Sequence, residues 1–364
     1  MTDAAAGELT IGAALSLSAG NVRQARMAAA ALVQAVEDAG RHGGVTVGGR
    51  RLVPRLALLD DGGTAPGLRH ALDLLAGADV LIGPYGSGLA GEAGLWAAER
   101  GRVVWNHGGS ADEVETSPWL VSLASPTSRY LAAVVEAVAG AVPGGRVLVA
   151  AGSGSFGRAA AAGAAEAAAA RGLALAGVVE PAAVADPVDA DVLLLAGSFD
   201  DDVAVVRRLR RPPRIVAAVA AGLGEFAAAV GPRRAEGVLA PSQWEEGARF
   251  SPDVGPRAVD VLRGLRSRLA PTLAPGPAGA HVEYPAAQAY AAVVLALHCR
   301  SATAGGDDEA VRATARALRA TTFFGRFALG PDGRQAGHEI LVTQWRNGAR
   351  TIVAPLAQAE HPIV

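Results

Sequence analysis

Short apolar strands alternate with helical runs along most of this 364-residue chain. That alternation is the tightest constraint on its fold, because strand–helix–strand units build a parallel sheet with helices on its faces. The clearest stretch runs from Val80 to Glu113. A strand, Val80-Leu81-Ile82, stops at the turn Gly83-Pro84-Tyr85-Gly86-Ser87-Gly88, and a helix follows to about Glu99. The next strand, Arg102-Val103-Val104-Trp105, stops at Asn106-His107-Gly108-Gly109-Ser110-Ala111-Asp112. In an open α/β sheet such turns lie at the carboxyl ends of neighbouring strands, where ligands are held. Serine hydroxyls and closely spaced backbone N–H groups in two adjacent turns suit a small anionic group such as a carboxylate.

The same rhythm extends both ways. Strands are expected at Leu9–Leu15, Arg51–Leu59 and Trp119–Leu123, with helices over Val22–Ala39 and Leu68–Ala76. Ser125-Pro126-Thr127-Ser128 caps a helix Arg129–Gly140, and a first crossing between two lobes belongs there. Beyond it the strands are Arg146–Ala151, Leu173–Val179, Asp191–Ala196, Arg214–Val219 and Gly237–Leu239. The helices between them are Phe156–Ala170, Phe199–Arg210 and Leu223–Val230. From about Gly247 helices follow one another without strands, at Pro256–Leu269, Glu283–Ser301 and Asp308–Ala320, with a loop at Pro271–Pro277. The end reads as a hairpin, His338–Gln344 and Thr351–Ala354 around Asn347-Gly348. The length is ample for two hydrophobic cores.

Composition removes several kinds of chemistry. All 33 basic residues are arginine, so Schiff-base lysines, P-loop lysines and Ser-Lys dyads are excluded. A net charge of −2 gives no reason to expect nucleic acid or an anionic membrane as partner. The single cysteine, Cys299, sits in an apolar run and reads as a core thiol, so it leaves the redox compartment open. No apolar stretch approaches the ~20 residues that span a bilayer, and membrane insertion is not expected. Met1–Gly7 has neither a basic nor an apolar leader region. As written the chain is expected in the cytoplasm, or outside it if a signal has been removed.

Among candidate motifs, Gly152-Ser153-Gly154-Ser155-Phe156-Gly157 fits G-x-G-x-x-G after a strand, and Glu180 ends the next strand. By pattern this is a dinucleotide fingerprint, and it supports an alternative reading as a nicotinamide-dependent oxidoreductase. With 46 glycines in the chain, chance matches are common. No serine has glycine at both minus two and plus two, so the nucleophile elbow is absent. The seven histidines are scattered without an H-x-x-x-H pair, and no metal site is expected. Asp60-Asp61 and Asp200–Asp202 read as caps at strand ends and helix starts. His107 reads equally as a ligand or acid–base group and as a hydrogen-bonded turn histidine. Arg129-Tyr130 at the first crossing offers a cation to an anionic ligand or to a salt bridge.

These residues, taken in order, resemble the type I periplasmic binding proteins of the leucine/isoleucine/valine-binding branch, which also contains cytoplasmic amide sensors. The landmarks are Ile11–Ser18, Gly83–Ser87, Asn106–Ser110, Phe156-Gly157, Ala289–Val293 and Phe324–Gly333, and the match spans Leu9 to about Ala357. The resemblance implies two doubly wound, Rossmann-like α/β lobes with parallel central sheets, joined by a three-crossing hinge. Residues 1–124 plus 250–328 would form the N-terminal lobe and 125–249 plus 329–364 the C-terminal one, with a ligand cleft between them that closes by hinge motion. It implies no enzymatic activity and no cofactor. Ser87, Gly109 and Ser110 would hold a ligand carboxylate. Tyr85, Trp105, Phe156, Tyr290 and Trp244 would be apolar walls, with His107 beside them. Phe156 stands where tyrosine is usual, which removes a hydroxyl contact. The acidic partner of an α-amino group would fall at Ala220–Glu225, where Glu225 is the only acid. The expected function is solute binding, of an amino acid, amide or small carboxylate, as the substrate-binding component of an ABC transporter or as a ligand sensor. The implied partners are that small molecule and an ABC permease or a regulatory protein. A module with a degenerate cleft is a third reading.

Overall fold

The computed structural model describes residues 7–270 and 281–363. The start of the chain before Gly7 and the expected loop at Pro271–Pro277 lie outside them. In chain order the elements are β1 (Gly7–Leu15), α1 (Val22–Arg41), β2 (Val45–Val47), β3 (Arg50–Asp60), α2 (Ala65–Leu74), β4 (Val80–Ile82), α3 (Ser87–Arg100), β5 (Val104–Asn106), α4 (Asp112–Glu115) and β6 (Leu120–Ser122). Then come α5 (Ser128–Val138), β7 (Arg146–Ala151), α6 (Ser155–Ala170), β8 (Ala174–Val179), β9 (Val192–Ala196), α7 (Phe199–Arg208), β10 (Ile215–Ala218), α8 (Phe226–Val230), α9 (Pro232–Ala235) and β11 (Leu239–Ser242). The last part holds α10 (Ala258–Leu269), α11 (Tyr284–Ala302), α12 (Asp308–Ala317), β12 (Arg319–Thr322), β13 (Gly325–Ala328), β14 (Leu341–Arg346) and β15 (Ala349–Ala354).

Contacts divide the chain into two compact units, each assembled from separated segments. Among the described residues the first takes 7–124, 250–270 and 284–338; the second takes 125–249, 281–283 and 339–363. Each unit is a doubly wound α/β structure with a mostly parallel sheet. In the first, the strand order is β2-β3-β1-β4-β5-β6, and only β2 runs antiparallel to its neighbour. β1 lies inside, paired with β3 from Gly7↔Leu52 to Leu15↔Asp60 and with β4 at Ile11↔Val80, and so reads as an unbroken apolar run. One face carries α2 and α3, whose Leu68, Leu72, Ala93 and Trp96 close over Leu81 and Val104. In the second unit the order is β15-β14-β11-β10-β9-β7-β8, with β14 and β15 antiparallel at one edge. There α5 and α6 cover Val147, Val149, Val192 and Leu194 on one face.

Local chemistry fixes the helix limits. Thr64 Oγ1 accepts from Gly67 N to open α2 behind Pro66, and a capping box between Ser198 and Asp201 opens α7. Asp60 and Asp61 also cap: Asp60 accepts from Leu17 N and Gly62 N, and Asp61 from Gly63 N.

The helices α10, α11 and α12 follow one another with no strand between them, as expected. The last ends at Ala317 rather than Ala320, and the chain then forms the hairpin β12–β13, which the pattern did not announce. Strand β2, too short to stand out in the pattern, closes the edge beside β3. Two lobe boundaries need correcting. Residues 329–338 stay with the first unit, since Ala336 N and Gly337 N both donate to Ala328 O and Gln335 Nε2 donates to Leu123 O. Residues 281–283 belong to the second unit, where Val282 N donates to Glu246 and Glu283 accepts from Gly224 N.

Candidate functional site

In the first unit the carboxyl ends of β4 and β5 lie side by side, and their turns interlock. Gly83 N donates to Trp105 O at 2.8 Å and Gly86 N to Gly108 O at 3.0 Å, with Tyr85 bridged to Gly108. Ala111 N then donates to Ser87 Oγ at 3.0 Å, tying the start of α3 to the end of the second turn. Ser87, Gly109 and Ser110 are therefore neighbours. Ser87 is also the first residue of α3, and the first-turn amides of a helix have no partner within it and favour an anion. Gly86 has φ +101°, which disfavours any side chain there, and a Cβ on it would stand 2.8 Å from Asn21 Nδ2. A Cβ on Gly109 would stand 2.2 Å from the Cβ of Ala90, so the second turn rests directly on α3.

Asn106, unremarked in the sequence beyond its place in the motif, is the scaffold of the second turn. Its Oδ1 accepts from Gly109 N at 2.8 Å and its Nδ2 donates to Gly109 O at 2.6 Å and Ser122 Oγ at 2.8 Å. His107 is wholly buried beside it, its ring 6.3 Å from that of Tyr85. Burial pulls its pKa down to about 4, opposed only by the backbone of Gly83. The imidazole is neutral at pH 7 and supplies no positive charge to an anion.

Tyr85 is half-buried, and its hydroxyl meets that of Tyr284 at 3.2 Å. Tyr284, the first residue of α11, was not foreseen; it lies 199 positions away along the chain, and no local pattern connects the two. Two expected walls fall elsewhere. Trp105 is 1% exposed and packs on Phe327 inside the unit's core, because β5 is covered on both faces. Tyr290 is 2% exposed and packs on Phe323, and its hydroxyl donates to Asp38 at 2.8 Å. Asp38 stands near the end of α1, about 25 Å along that helix from Asn21, the residue that abuts Gly86. Tyr290 is thus a core residue of the packed helices and no part of the turn cluster.

In the second unit Phe156 is half-buried at the start of α6, edge-on to Tyr130 with ring centroids 5.5 Å apart. The Tyr130 hydroxyl accepts from Gln243 Nε2, and Gln243 also clamps Ser125 N and Ser125 O, each at 2.9 Å. Trp244 is 1% exposed and is held by reciprocal bonds with Ser242 Oγ, again as a core residue. Glu225 is half-buried and precedes α8.

The carboxylates that the fold gathers near Gly224 come from farther along the chain. Glu283 is 4% exposed, and Glu245 makes a two-pronged pair with Arg350 at 3.1 and 3.2 Å. Burial alone would raise Glu245, but Arg350 and His281 hold it down at about 2. The buried guanidinium and carboxylate satisfy each other, as buried charges must.

The glycine fingerprint has a packing explanation. A Cβ on Gly157 would sit 2.0 Å from Gly152 O, so the third glycine lets the first turn of α6 close onto the end of β7. Glu180 is exposed. Among the described residues no group of three His, Cys, Asp or Glu could hold a metal ion, and no described helix is long and apolar enough to cross a membrane.

A family model described as periplasmic binding protein matches residues 8–350. No curated protein matches. Solved structures are similar at low identity and over nearly the whole length. One is a putative branched-chain amino acid ABC transporter protein from Rhodospirillum rubrum, 19% identical with TM-score 0.73, covering 95% of this chain and 100% of that one. Another is the branched-chain amino acid transporter substrate-binding protein LivJ from Streptococcus pneumoniae in complex with isoleucine, 15% identical with TM-score 0.75, covering 96% and 100%. A third is a solute-binding protein of an ABC transporter from R. palustris in complex with benzoate, 16% identical with TM-score 0.72, covering 98% of each chain. None of these lends support to an oxidoreductase.

Proposed function

The chain belongs to the periplasmic binding protein family, and on that premise we propose that it is a non-enzymatic solute-binding protein for an amino acid or another small carboxylate. The observation that carries the reading is the interlock of the two turns, in which Ala111 N donates to Ser87 Oγ and so sets Ser87 beside Gly109 and Ser110. A hydroxyl that accepts from its own chain keeps its proton for a ligand oxygen. Together with the first amides of α3, Ser87 and Ser110 form a neutral, donor-rich anchor for a carboxylate. The ligands in two of the similar structures, isoleucine and benzoate, both carry that group. Delivery to an ABC permease is the proposed role, with ligand sensing as the alternative that uses the same anchor.

Thermal unfolding in the presence of L-leucine, L-isoleucine, benzoate and NAD(P) tests this. A native-state ligand at 100 times its Kd adds about 2.7 kcal/mol of stability, which a melting scan resolves. The expected result is a rise in Tm with at least one carboxylate, abolished in the double variant Ser87→Ala/Ser110→Ala, which still unfolds in one cooperative transition at an unliganded Tm lowered by loss of the Ser87–Ala111 bond. A rise with NAD(P) alone would overturn the proposal in favour of the Gly152–Gly157 turn.

A further inference from the structure

The residue that shapes the anchor is not one of the groups expected to touch the ligand. Asn106 ends β5, is 1% exposed, and faces Ser122, its registered neighbour on β6. A primary amide carries an acceptor on one arm and two donors on the other. Here the acceptor arm meets Gly109 N at 2.8 Å and Gly108 N at 3.3 Å. The donor arm meets Gly109 O at 2.6 Å and Ser122 Oγ at 2.8 Å. Both polar groups of the Gly109 backbone are thus bound to one side chain, while Ser87 Oγ holds the turn's far end at Ala111 N.

We propose that Asn106 is the positioning residue of the carboxylate anchor. It fixes the Gly108–Ser110 turn in its receptive shape before any ligand arrives, and its neutrality keeps negative charge away from the place where the anion sits. The proposal rests on the anchor reading above and adds the group that preorganises it. Two substitutions separate the two roles. Asn106→Ala removes both arms and leaves the buried Gly109 carbonyl and Ser122 hydroxyl without their donor. Asn106→Asp keeps the acceptor arm for the two glycine amides, but it turns its other oxygen on the Gly109 carbonyl that Nδ2 serves and sets a carboxylate beneath the anchor, where burial weakens screening of like charge.

Hydrogen–deuterium exchange on the ligand-free protein, together with titration by L-leucine and benzoate, tests both roles. Asn106→Ala should speed exchange in the peptide spanning residues 107–111 at least tenfold, with β1, β4 and α11 unchanged. Asn106→Asp should speed exchange in that peptide less than Asn106→Ala, because Gly108 N and Gly109 N keep their acceptor, yet weaken binding of the carboxylate probe at least tenfold. Exchange that is unaltered in Asn106→Ala overturns the positioning role. Equal affinity of Asn106→Asp and wild type overturns the electrostatic one. If wild type binds neither probe, the anchor reading is what fails, and the exchange result still decides whether Asn106 orders the turn. Should Asn106→Ala not fold, Ser122→Ala, which removes one partner of Nδ2, should give a smaller rise in the same peptide; no rise there overturns the proposal as well.

Discussion

Burial holds two histidines of the first unit neutral, and the consequence is a defined weakness to acid. His107 and His338 are both pushed down to about 4; His338 stacks on the Phe324 ring with centroids 4.6 Å apart. In the unfolded chain each titrates near 6.5, so between pH 6.5 and 4 the unfolded state binds more protons than the folded one. Their contribution is therefore complete above pH 6.5 and is lost as the pH falls toward 4, at about 3 kcal/mol for each. Asp202, raised by burial to about 7, and Glu115, raised well above its usual range, keep protons in the folded state and act in the opposite sense. A difference experiment removes those common effects. The unfolding free energy of His338→Gln, measured by urea between pH 7 and 4, should fall less steeply than that of wild type by about 1.4 kcal/mol per pH unit at most. Identical slopes would show that His338 titrates alike in the folded and unfolded states. At this scale the sequence was legible where residues act through local backbone: Ser87, Gly109 and Ser110 are neighbours as their motif implied. It was not legible for Trp105 and Tyr290, whose aromatic identity says nothing of which face they occupy, nor for Tyr284 and Glu283, which arrive from distant segments.

Between elements, α5 and α6 of the second unit approach closely. A Cβ on Gly163, within α6, would stand 1.8 Å from the Ser128 carbonyl oxygen at the start of α5. Two effects of Gly163→Ala then oppose each other. Alanine favours a helix over glycine by about 1 kcal/mol, while the clash is with backbone and is relieved only by moving a helix. Overpacking of this kind costs about 1–3 kcal/mol, so a net loss is expected, seen as a lower urea midpoint at unchanged m-value. Gly91→Ala in α3 is the control, since its Cβ would meet only Val114 Cγ2 at an ordinary 3.7 Å and should be neutral or stabilising. The long helices and the parallel strands were readable because apolar spacing over ten or more residues is hard to mistake. The missed elements have physical reasons. β2 is three residues between glycine pairs, and only Leu318 separates α12 from β12, so the strand's alternating pattern merges with the end of the helix.

Taken as a whole, the molecule has no segment that completes a unit alone. The first unit needs α11 against α1, fastened by the Tyr290–Asp38 bond, and the second needs β14 beside β11 from Leu239↔Gln344 to Ser242↔Leu341. A fragment ending at Ala124 would leave α1 without α11, the helix packed along it. It should give no cooperative urea transition, whereas the full chain should; a sharp transition in the fragment would contradict the segment assignment. The double-wound architecture could be anticipated from strand–helix alternation, but the return of 281–283 to the second unit could not, because it depends on Glu246 and Gly224 meeting that stretch in space. This interleaving also sets a schedule. At roughly 5–20 residues per second of synthesis, α11 emerges on the order of 10–50 seconds after the helix it must cover, and β14 comes later still. Through that interval the nascent chain carries unfinished apolar faces on both units, so the time during which it most needs shielding is written into the order of its segments.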